Sequence, residues 1–262
     1  MSDSYMEASA ELARLAGDNA MRFFGTALDV ESKKDGSPVT EADRSTETLA
    51  REWIAQRFPR DGILGEEFGS SRPEAERQWT IDPIDGTKSF VRGVPLWGTL
   101  VAVMAGETVL AGAAFFPAMG EMIVAGAGSG CWWNSKRCAV STVAELNAAM
   151  VLTSEARFNS RSHEHVDGWR SLIEKTAESR TWGDCYGYLL VATGRAEVMV
   201  DPVLSVWDIA PFVCIIQEAG GVLTDFAGRI SAFGGSAIAT NAALAQSARA
   251  ILGVSPQQRT GR

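Results

Sequence analysis

The sequence predicts a mixed α/β protein built from two coupled halves. Its 262 residues are 46% hydrophobic, which is enough apolar material for one large core or for two joined ones. Residues 1–143 show two helical patterns and then a series of strands, whereas residues 144–262 alternate strands with helices. We therefore divide the chain into an N-terminal half of 1–143 and a C-terminal half of 144–262.

Two helices open the N-terminal half, and strands follow them. A capping box begins at Ser4, and apolar residues at helical spacing continue from it until Gly25. Thr40 has the position of an N-cap for a second helix, residues 41–58, which Pro59 ends. Apolar runs separated by turn residues then predict strands over residues 96–105, 108–116, 121–125 and 131–134.

The C-terminal half alternates the two kinds of element. Strands are predicted over residues 150–154, 180–183, 196–200, 222–224 and 236–240, and helices over residues 164–178, 185–193, 205–219 and 242–252. His163 and His165 are the two histidines of the chain. They flank a helix start with no third ligand nearby in sequence, so we interpret them as a solvated helix terminus.

Composition and charge exclude several classes of function. The formal net charge of −8 argues against nucleic acid or an anionic membrane as a partner, and it would repel a phosphate ester unless bound cations reverse the local field. The first residues lack the basic and apolar regions of a signal peptide, and the longest apolar run, residues 109–120, is too short to span a bilayer. Four cysteines without C-x-x-C spacing do not predict a disulfide scaffold. We expect a reduced, cytoplasmic enzyme.

An acidic stretch at residues 79–90 is the strongest chemical signal in the chain. A buried strand is predicted to run into Asp82 and Asp85, which lie three residues apart around Pro83 and just before Gly86. Two carboxylates on one turn repel each other unless a cation lies between them, and Mg²⁺ is the usual cation for carboxylate and water oxygens. A solvated acidic turn is the alternative, because aspartate, proline and glycine are all common in turns.

Further acids at element ends decide between these alternatives. Asp43 lies in the first turn of the second helix, Glu66 lies in a loop with glycines on both sides, and Asp208 follows Ser205 at capping spacing. Each has an ordinary structural explanation, as a helix-end acid or as part of a solvated turn. Several such acids next to glycine or proline in one chain nevertheless favour a metal site.

These segments resemble the signature regions of the inositol monophosphatase-like superfamily of magnesium-dependent phosphatases. The Asp-Pro-Ile-Asp-Gly-Thr sequence of residues 82–87 is the most specific match. The other matches are Gly-Glu-Glu at residues 65–67, Trp-Asp at 207–208 and Glu-Ala-Gly-Gly at 218–221, and the likeness extends back to residue 38. The resemblance implies a layered α-β-α-β-α sandwich of the sugar-phosphatase type, and it implies a homodimer.

The resemblance also implies a role for each matching position. Two or three Mg²⁺ ions would be held by four carboxylates and one backbone carbonyl: Glu66, Asp82, Asp85, Asp208 and the carbonyl of Ile84. Thr87, with Asp43 as its partner and Glu66 beside the metal, would orient and help to deprotonate the attacking water. Phosphate oxygens would contact the amides of Gly86 and Thr87 and a lysine that is either Lys33 or Lys34. Glu67 would act behind the metal ligands.

The substrate is predicted from a different part of the chain. Residues 183–187, 93–98 and 131–134 resemble the histidinol-phosphate phosphatase branch of the superfamily, where the inositol branch has a small, neutral Gly-Thr-Ala-like segment instead of Gly-Asp-Cys. Asp184 and Asp201, together with Asp208, would then face the substrate alcohol. Acids there suit an alcohol that carries an ammonium group, because charge-assisted hydrogen bonds are the stronger kind. This resemblance implies hydrolysis of L-histidinol phosphate.

Three alternatives stay open at this point. Asp184 also has the position of a helix N-cap. The enzyme could instead act on inositol or sugar phosphates, or the chain could be a metal-dependent binding protein without activity. The neighbours of an imidazole ring would include Trp182, Asn159 and Arg157.

Overall fold

The computed structural model describes residues 2–33, 36–155 and 165–254. In this part of the chain, the helices are α1 (Ser2–Met21), α2 (Glu41–Arg57), α3 (Thr87–Phe90), α4 (Val166–Lys175), α5 (Cys185–Ala192), α6 (Val206–Glu218) and α7 (Ala245–Ile251). Among these described helices, none combines the length and the apolar character needed to cross a bilayer.

The larger of the two main sheets has eight strands and is mostly antiparallel. Its strands are β3 (Gly62–Gly65), β4 (Gly69–Ser71), β5 (Gln78–Asp85), β6 (Gly98–Ala105), β7 (Thr108–Phe116), β8 (Glu121–Gly126), β9 (Gly130–Trp133) and β10 (Lys136–Arg137). They lie in the order β10-β9-β8-β7-β6-β5-β3-β4, and β3 and β5 pair in parallel. A separate two-stranded ribbon pairs β1 (Glu31–Ser32) with β2 (Pro38–Val39).

The smaller main sheet has five strands from the C-terminal half. They are β11 (Met150–Leu152), β12 (Glu178–Arg180), β13 (Val198–Asp201), β14 (Val222–Thr224) and β15 (Ala237–Thr240), in the order β12-β11-β13-β15-β14. Strand β11 pairs in parallel with both β12 and β13, whereas β15 is antiparallel to β13 and β14.

Helices fill three layers around these two sheets. Helices α1 and α2 pack on each other and on strands β5 to β8, where Leu12, Ile54 and Trp79 are buried together. Helices α5 and α6 lie between the sheets, since α6 contacts strands of both and α5 contacts β13 and β15. Helix α7 contacts α4 and β15 and buries Leu244 with Trp169 on the outer face of the smaller sheet. The predicted α-β-α-β-α sandwich is therefore confirmed. The division at residue 143 stays a prediction, because α6 belongs to the cores of both sheets.

Local signals explain where two functional helices begin. Thr40 and Asp43 form a capping box at the start of α2, and Ser205 and Asp208 form another at the start of α6. Each box fixes an acid in the first turn of its helix. Asp43 and Asp208, which the sequence predicted at helix starts, each accept a hydrogen bond from the backbone of the N-cap residue, and this fixes their positions.

Two predicted elements were misplaced by a few residues. The helix predicted over residues 164–178 ends at Lys175, and the strand predicted over residues 180–183 is β12, which begins at Glu178. The reason is tertiary, because the register of β12 is set by its pairing with β11, in which Met150 lies opposite Glu178 and Leu152 opposite Arg180. Residues 181–183 instead form the loop that leads into α5.

Candidate active site

The acidic stretch lies at the end of β5, in the middle of the larger sheet. The strand continues through Asp85, with an irregular register against β6 between Asp82 and Asp85, so the predicted turn begins only at Gly86. Asp82 is 2% exposed, and its Oδ1 accepts a hydrogen bond from the amide of Ile84 at 3.0 Å. The irregularity interrupts the alternation of side chains along the strand, and both carboxylates point to one site.

Asp208 joins these two acids from the other half of the chain. It lies in the first turn of α6, where its Oδ2 accepts a hydrogen bond from the amide of Ser205 at 2.7 Å. One carboxylate oxygen from each of Asp82, Asp85 and Asp208 lies within 4.8 Å of the others. Three oxygen donors at this separation can hold a hard divalent cation.

Burial and mutual repulsion raise the pKa values of all three acids. Burial is the largest cause for Asp82 and Asp85, and the charges of neighbouring acids add to it. The pKa of Asp208 rises to about 7, again chiefly because of burial. Buried carboxylates this close together need either protons or a cation, so the arrangement fits a metal centre.

Glu66 lies beside this cluster in the loop between β3 and β4, where its carboxylate raises the pKa of Asp82. Lys33 bridges Glu66 and Glu67, with its Nζ 2.7 Å and 2.5 Å from their Oε1 atoms. Burial opposes the charge of Lys33, but the two carboxylates raise its pKa above the usual range. Of the two candidate lysines, Lys33 contacts the site, and Lys34 lies outside the described residues.

Asp43 and Thr87 lie together behind the acidic cluster. Asp43 is fully buried, and its Oδ2 accepts hydrogen bonds from the amide and the hydroxyl of Thr40 at 2.8 and 2.7 Å. The Thr87 hydroxyl lies 3.5 Å from Asp43 Oδ1 and donates to the Ile84 carbonyl at 3.0 Å. Burial raises the pKa of Asp43. The structure thus brings the predicted catalytic pair within reach of each other.

Gly86 is required at the start of α3. Its φ is 87°, and a Cβ there would lie 3.0 Å from the Leu96 carbonyl oxygen and 3.2 Å from Asp184 Oδ2. The glycine therefore lets the Asp184 carboxylate approach the backbone of the acidic turn. The amides of Gly86 and Thr87 stay a predicted phosphate contact.

Asp184 occupies the N-cap position of α5 but does not cap the helix. Its φ of 51° and ψ of −153° are rare for a residue with a side chain, and it makes no side-chain capping hydrogen bond. Its amide donates to Ser154 Oγ at 2.7 Å. The next amide, that of Cys185, donates to Asp85 Oδ2 at 2.5 Å. The carboxylate of Asp184 is therefore directed into the cleft instead of onto its own helix.

Asp201 lies behind Asp184 and supports it. This acid is 1% exposed, and its carboxylate accepts hydrogen bonds from the Ser154 amide at 2.8 Å, the Ser154 hydroxyl at 3.1 Å and the Tyr188 hydroxyl at 2.9 Å. Burial raises its pKa to about 6. A connected series of hydrogen bonds runs from Asp201 through Ser154 to the backbone of Asp184, so the two predicted substrate acids belong to one arrangement.

These groups line one cleft of about 690 Å³. Its wall includes Asp85 and Asp208 on the metal side and Ser154, Asp184 and Asp201 on the other. A cleft of this size admits a small organic phosphate. Its donors are chiefly oxygens, which suit Mg²⁺ better than the softer transition metals.

Some residues of the site were not predicted, and some predicted neighbours cannot be placed. Ser154 and Tyr188 were missed because a serine after a strand and a tyrosine within a helix carry no local signal. Trp182 is 41% exposed and precedes Asp184 by two residues. The other predicted neighbours of an imidazole, together with one of the histidines, lie outside the described residues: Arg157, Asn159 and His163.

His165 lies at a helix terminus as predicted, at the N-cap position of α4, but it is not fully solvated. The residue is half-buried, and its ring packs on Phe226 with the centroids 4.0 Å apart. The interaction is tertiary, since Phe226 lies on the segment that follows β14.

The sequence of the chain matches a known protein family over nearly its whole length. Residues 1–257 match the inositol monophosphatase family. A histidinol-phosphatase of Chlorobaculum parvum is 42% identical over 252 residues, which cover 95% of this chain and 96% of that protein. A histidinol-phosphatase of Mycobacterium tuberculosis is 37% identical over 256 residues, which cover 92% of this chain and 95% of that protein.

Comparison of structures agrees with the sequence match. The extragenic suppressor protein suhB from Bartonella henselae superposes with a TM-score of 0.89 at 26% identity, and the match covers 99% of this chain and 100% of that chain. The resemblance inferred from residues 82–87 is confirmed: the chain belongs to the inositol monophosphatase family.

Proposed function

We propose that this protein is a Mg²⁺-dependent phosphomonoesterase that hydrolyses L-histidinol phosphate to L-histidinol and phosphate. The observation that carries the substrate choice is the Asp184 carboxylate, which is directed into the cleft beside the Gly86 turn. Relatives named histidinol-phosphatase at 42% and 37% identity support the same choice. The proposal places the protein in histidine biosynthesis.

The carboxylates of the site fit magnesium. Asp82, Asp85 and Asp208 would hold the ion or ions, with Glu66, whose charge raises the pKa of Asp82, beside them. The Ile84 carbonyl, which accepts a hydrogen bond from Thr87, would be a further ligand. Bound Mg²⁺ supplies positive charge that stabilises the oxygens of the phosphate group as they change charge. Such a cation would also offset the repulsion between an anionic substrate and a protein of net charge −8.

Thr87 and Asp43 provide the group that accepts a proton from water. The Thr87 hydroxyl, which donates to the Ile84 carbonyl, would turn its hydrogen toward Asp43 Oδ1 and accept a hydrogen bond from water. It would then take the proton that leaves the water while its own proton passes to Asp43. The raised pKa of Asp43 agrees with this role. The oxygen of the water would form the new bond to phosphorus, the bond from phosphorus to the alcohol oxygen would break, and the alcohol oxygen would take a proton from solvent water as it leaves.

Asp184 selects the alcohol by its charge. An ammonium group on the substrate would form a charge-assisted hydrogen bond with this carboxylate. A neutral polyol offers no such charge and would leave Lys88, whose charge lowers the pKa of Asp184, as the nearby cation. Asp201 acts indirectly in this proposal, because its carboxylate already accepts three hydrogen bonds from Ser154 and Tyr188. Asp208 would contact the substrate from the metal side of the cleft, beside Asp85.

A panel of esters tests the proposal. Phosphate release is measured with Mg²⁺ on L-histidinol phosphate, inositol 1-phosphate and fructose 1,6-bisphosphate, and again with excess chelator. We expect the largest kcat/KM for L-histidinol phosphate and no turnover with chelator. A much larger kcat/KM for a polyol phosphate would establish an inositol- or sugar-phosphate phosphatase instead. Absence of turnover on every ester would favour a metal-dependent binding protein.

Two expectations about the whole protein accompany this proposal. We infer a homodimer in the cytoplasm. Light scattering coupled to size-exclusion chromatography measures the mass directly, and a particle near one chain mass would contradict the dimer.

A further inference from the structure

Glu47 is a buried acid that lies outside the cleft. It is on α2 and is fully buried, although glutamate is rarely buried without a specific partner. Its Oε2 accepts a hydrogen bond from the amide of Glu67 at 2.6 Å, and its Oε1 accepts one from the amide of Phe68 at 3.2 Å. Arg51, one turn further along α2, donates its Nε to the same carboxylate at 2.7 Å.

The loop that carries Glu66 is shaped around this carboxylate. A Cβ on Gly65 would lie only 2.0 Å from Glu47 Oε1, so the glycine allows the backbone to lie directly on the acid. Arg51 also donates from its terminal nitrogen to the carbonyl of Gly69. The pair Glu47 and Arg51 therefore holds the loop through its backbone at both ends.

The Glu47–Arg51 ion pair is not explained by a contribution to folding stability. A buried ion pair contributes little net stability, because the loss of hydration offsets much of the attraction. Apolar side chains at the same positions of α2 could cover β3 and β5 as well. What the Glu47 carboxylate adds is a fixed position for the amides of Glu67 and Phe68, and hence for the side chain of Glu66 between Gly65 and Glu67.

Helix α2 also carries Asp43, one turn before Glu47. Asp43 lies 3.5 Å from the Thr87 hydroxyl, and Glu47 contacts the loop of Glu66. One face of one helix thus fixes both the proton acceptor and the loop beside the metal cluster. A shift of this loop would move Glu66 relative to Asp82, together with Glu67 and the Lys33 that bridges the two glutamates.

We propose that Glu47 is a positioning residue that sets the metal affinity of the site by holding the Glu66 loop. The inference rests on the proposed metal-dependent function. Partners that orient metal ligands typically change metal affinity or activity by about 10- to 100-fold when they are removed. We therefore expect Glu47→Gln to weaken metal binding by about 10-fold, since one of the two acceptor oxygens becomes an amide donor.

The test measures metal binding directly. Mn²⁺ replaces Mg²⁺ as the probe, and the free Mn²⁺ signal in electron paramagnetic resonance gives the Kd of wild type and variant. The matched control is Glu52→Gln, which removes the same charge from an exposed position on α2. We expect Glu52→Gln to bind like wild type. In Glu47→Gln, the Mg²⁺ concentration for half-maximal turnover should rise, while kcat at saturating Mg²⁺ and the KM for the ester stay near those of wild type.

A second variant, Gly65→Ala, tests the same contact in case Glu47→Gln does not fold. Gly65→Ala keeps both charges of the Glu47–Arg51 pair but forces the carboxylate away from the loop amides, so it should weaken Mn²⁺ binding in the same direction. A folded Glu47→Gln or Gly65→Ala protein with wild-type Mn²⁺ affinity would overturn the inference and leave the proposed function intact. Wild-type protein that binds no Mn²⁺ and has no Mg²⁺-dependent turnover would overturn both.

Discussion

The two sides of the cleft hold their acids in different ways. The metal wall consists of Asp85 and Asp208, which line the cleft, together with Asp82 and Glu66 next to them. The substrate wall consists of residues from the C-terminal half joined by hydrogen bonds: Ser154, Asp184 and Asp201. Acids of the metal wall are buried against each other's charge, which raises the pKa values of Asp82 and Asp85. On the substrate wall, Asp201 accepts three hydrogen bonds, which oppose the rise in its pKa that burial causes.

This difference separates affinity for a cation from choice of substrate. Asp82, Asp85 and Asp208 lie close together and repel one another until a cation binds, so this wall favours a bound metal over an empty site. The substrate wall fixes one carboxylate, that of Asp184, in a backbone conformation that costs about 1–3 kcal/mol. A directed acid of this kind can discriminate between alcohols without affecting the chemistry at phosphorus.

The largest effect should come from removing an acid of the metal wall. Asp85→Asn should lower kcat/KM at least about 10³-fold for every ester, because charge stabilisation by a metal is worth several kcal/mol. Phosphate release and Mn²⁺ binding measure this loss, with the exposed Asp18→Asn as a control for the loss of one acid. Wild-type turnover in Asp85→Asn would show that Asp85 does not hold the metal.

A smaller and selective effect is expected on the substrate wall. Asp184→Asn should lower kcat/KM for L-histidinol phosphate by about 10- to 100-fold, as a lost charged hydrogen bond does, and leave inositol 1-phosphate hydrolysis almost unchanged. The ratio of the two kcat/KM values is the measured quantity. Equal losses on both esters would contradict an ammonium contact at Asp184.

The smallest effect concerns stability and pH. Burial raises the pKa of Asp201 from 3.8 to about 6, so the folded protein holds a proton that the unfolded chain releases. The contribution of this group to stability is present below about pH 4 and is lost as the pH rises through about 6. Between pH 4 and 8, wild type should therefore lose on the order of 2–3 kcal/mol of unfolding free energy that Asp201→Asn retains.

Urea unfolding of both proteins in chelator, at several pH values, measures that difference. The exposed Glu52→Gln variant should follow wild type across the whole range. Parallel curves for wild type and Asp201→Asn would show that burial of this acid has no energetic consequence.

The metal wall was largely predictable from the sequence, because its signals are local. Asp82 and Asp85 share one short stretch with the glycine that their turn requires, and capping patterns placed Asp43 and Asp208 at helix starts. Glu47 was not predicted. Its signal was available, since it lies one turn after Asp43 on the buried face of α2, where an acid is unusual.

The substrate wall was only partly predictable. Asp184 was identified, but its position also fitted an ordinary helix cap, and only the backbone angles exclude that explanation. No sequence signal predicted the role of Ser154, because that role depends on Asp201, which is 47 residues away along the chain. The bounds of β12 were misplaced for the same reason, since its pairing with β11, and not its own residues, decides where the strand begins and ends.

The sequence by itself determined the family, the layered fold and the acids that can bind a cation. Those properties depend on residue type and short spacing, which the chain displays directly. Only the tertiary structure decided that Asp208 meets Asp82 and Asp85, that Lys33 bridges Glu66 and Glu67, and that Asp201 acts through Ser154. These contacts join elements far apart in the chain, and packing of α6 against strands of both sheets brings Asp208 to the other acids.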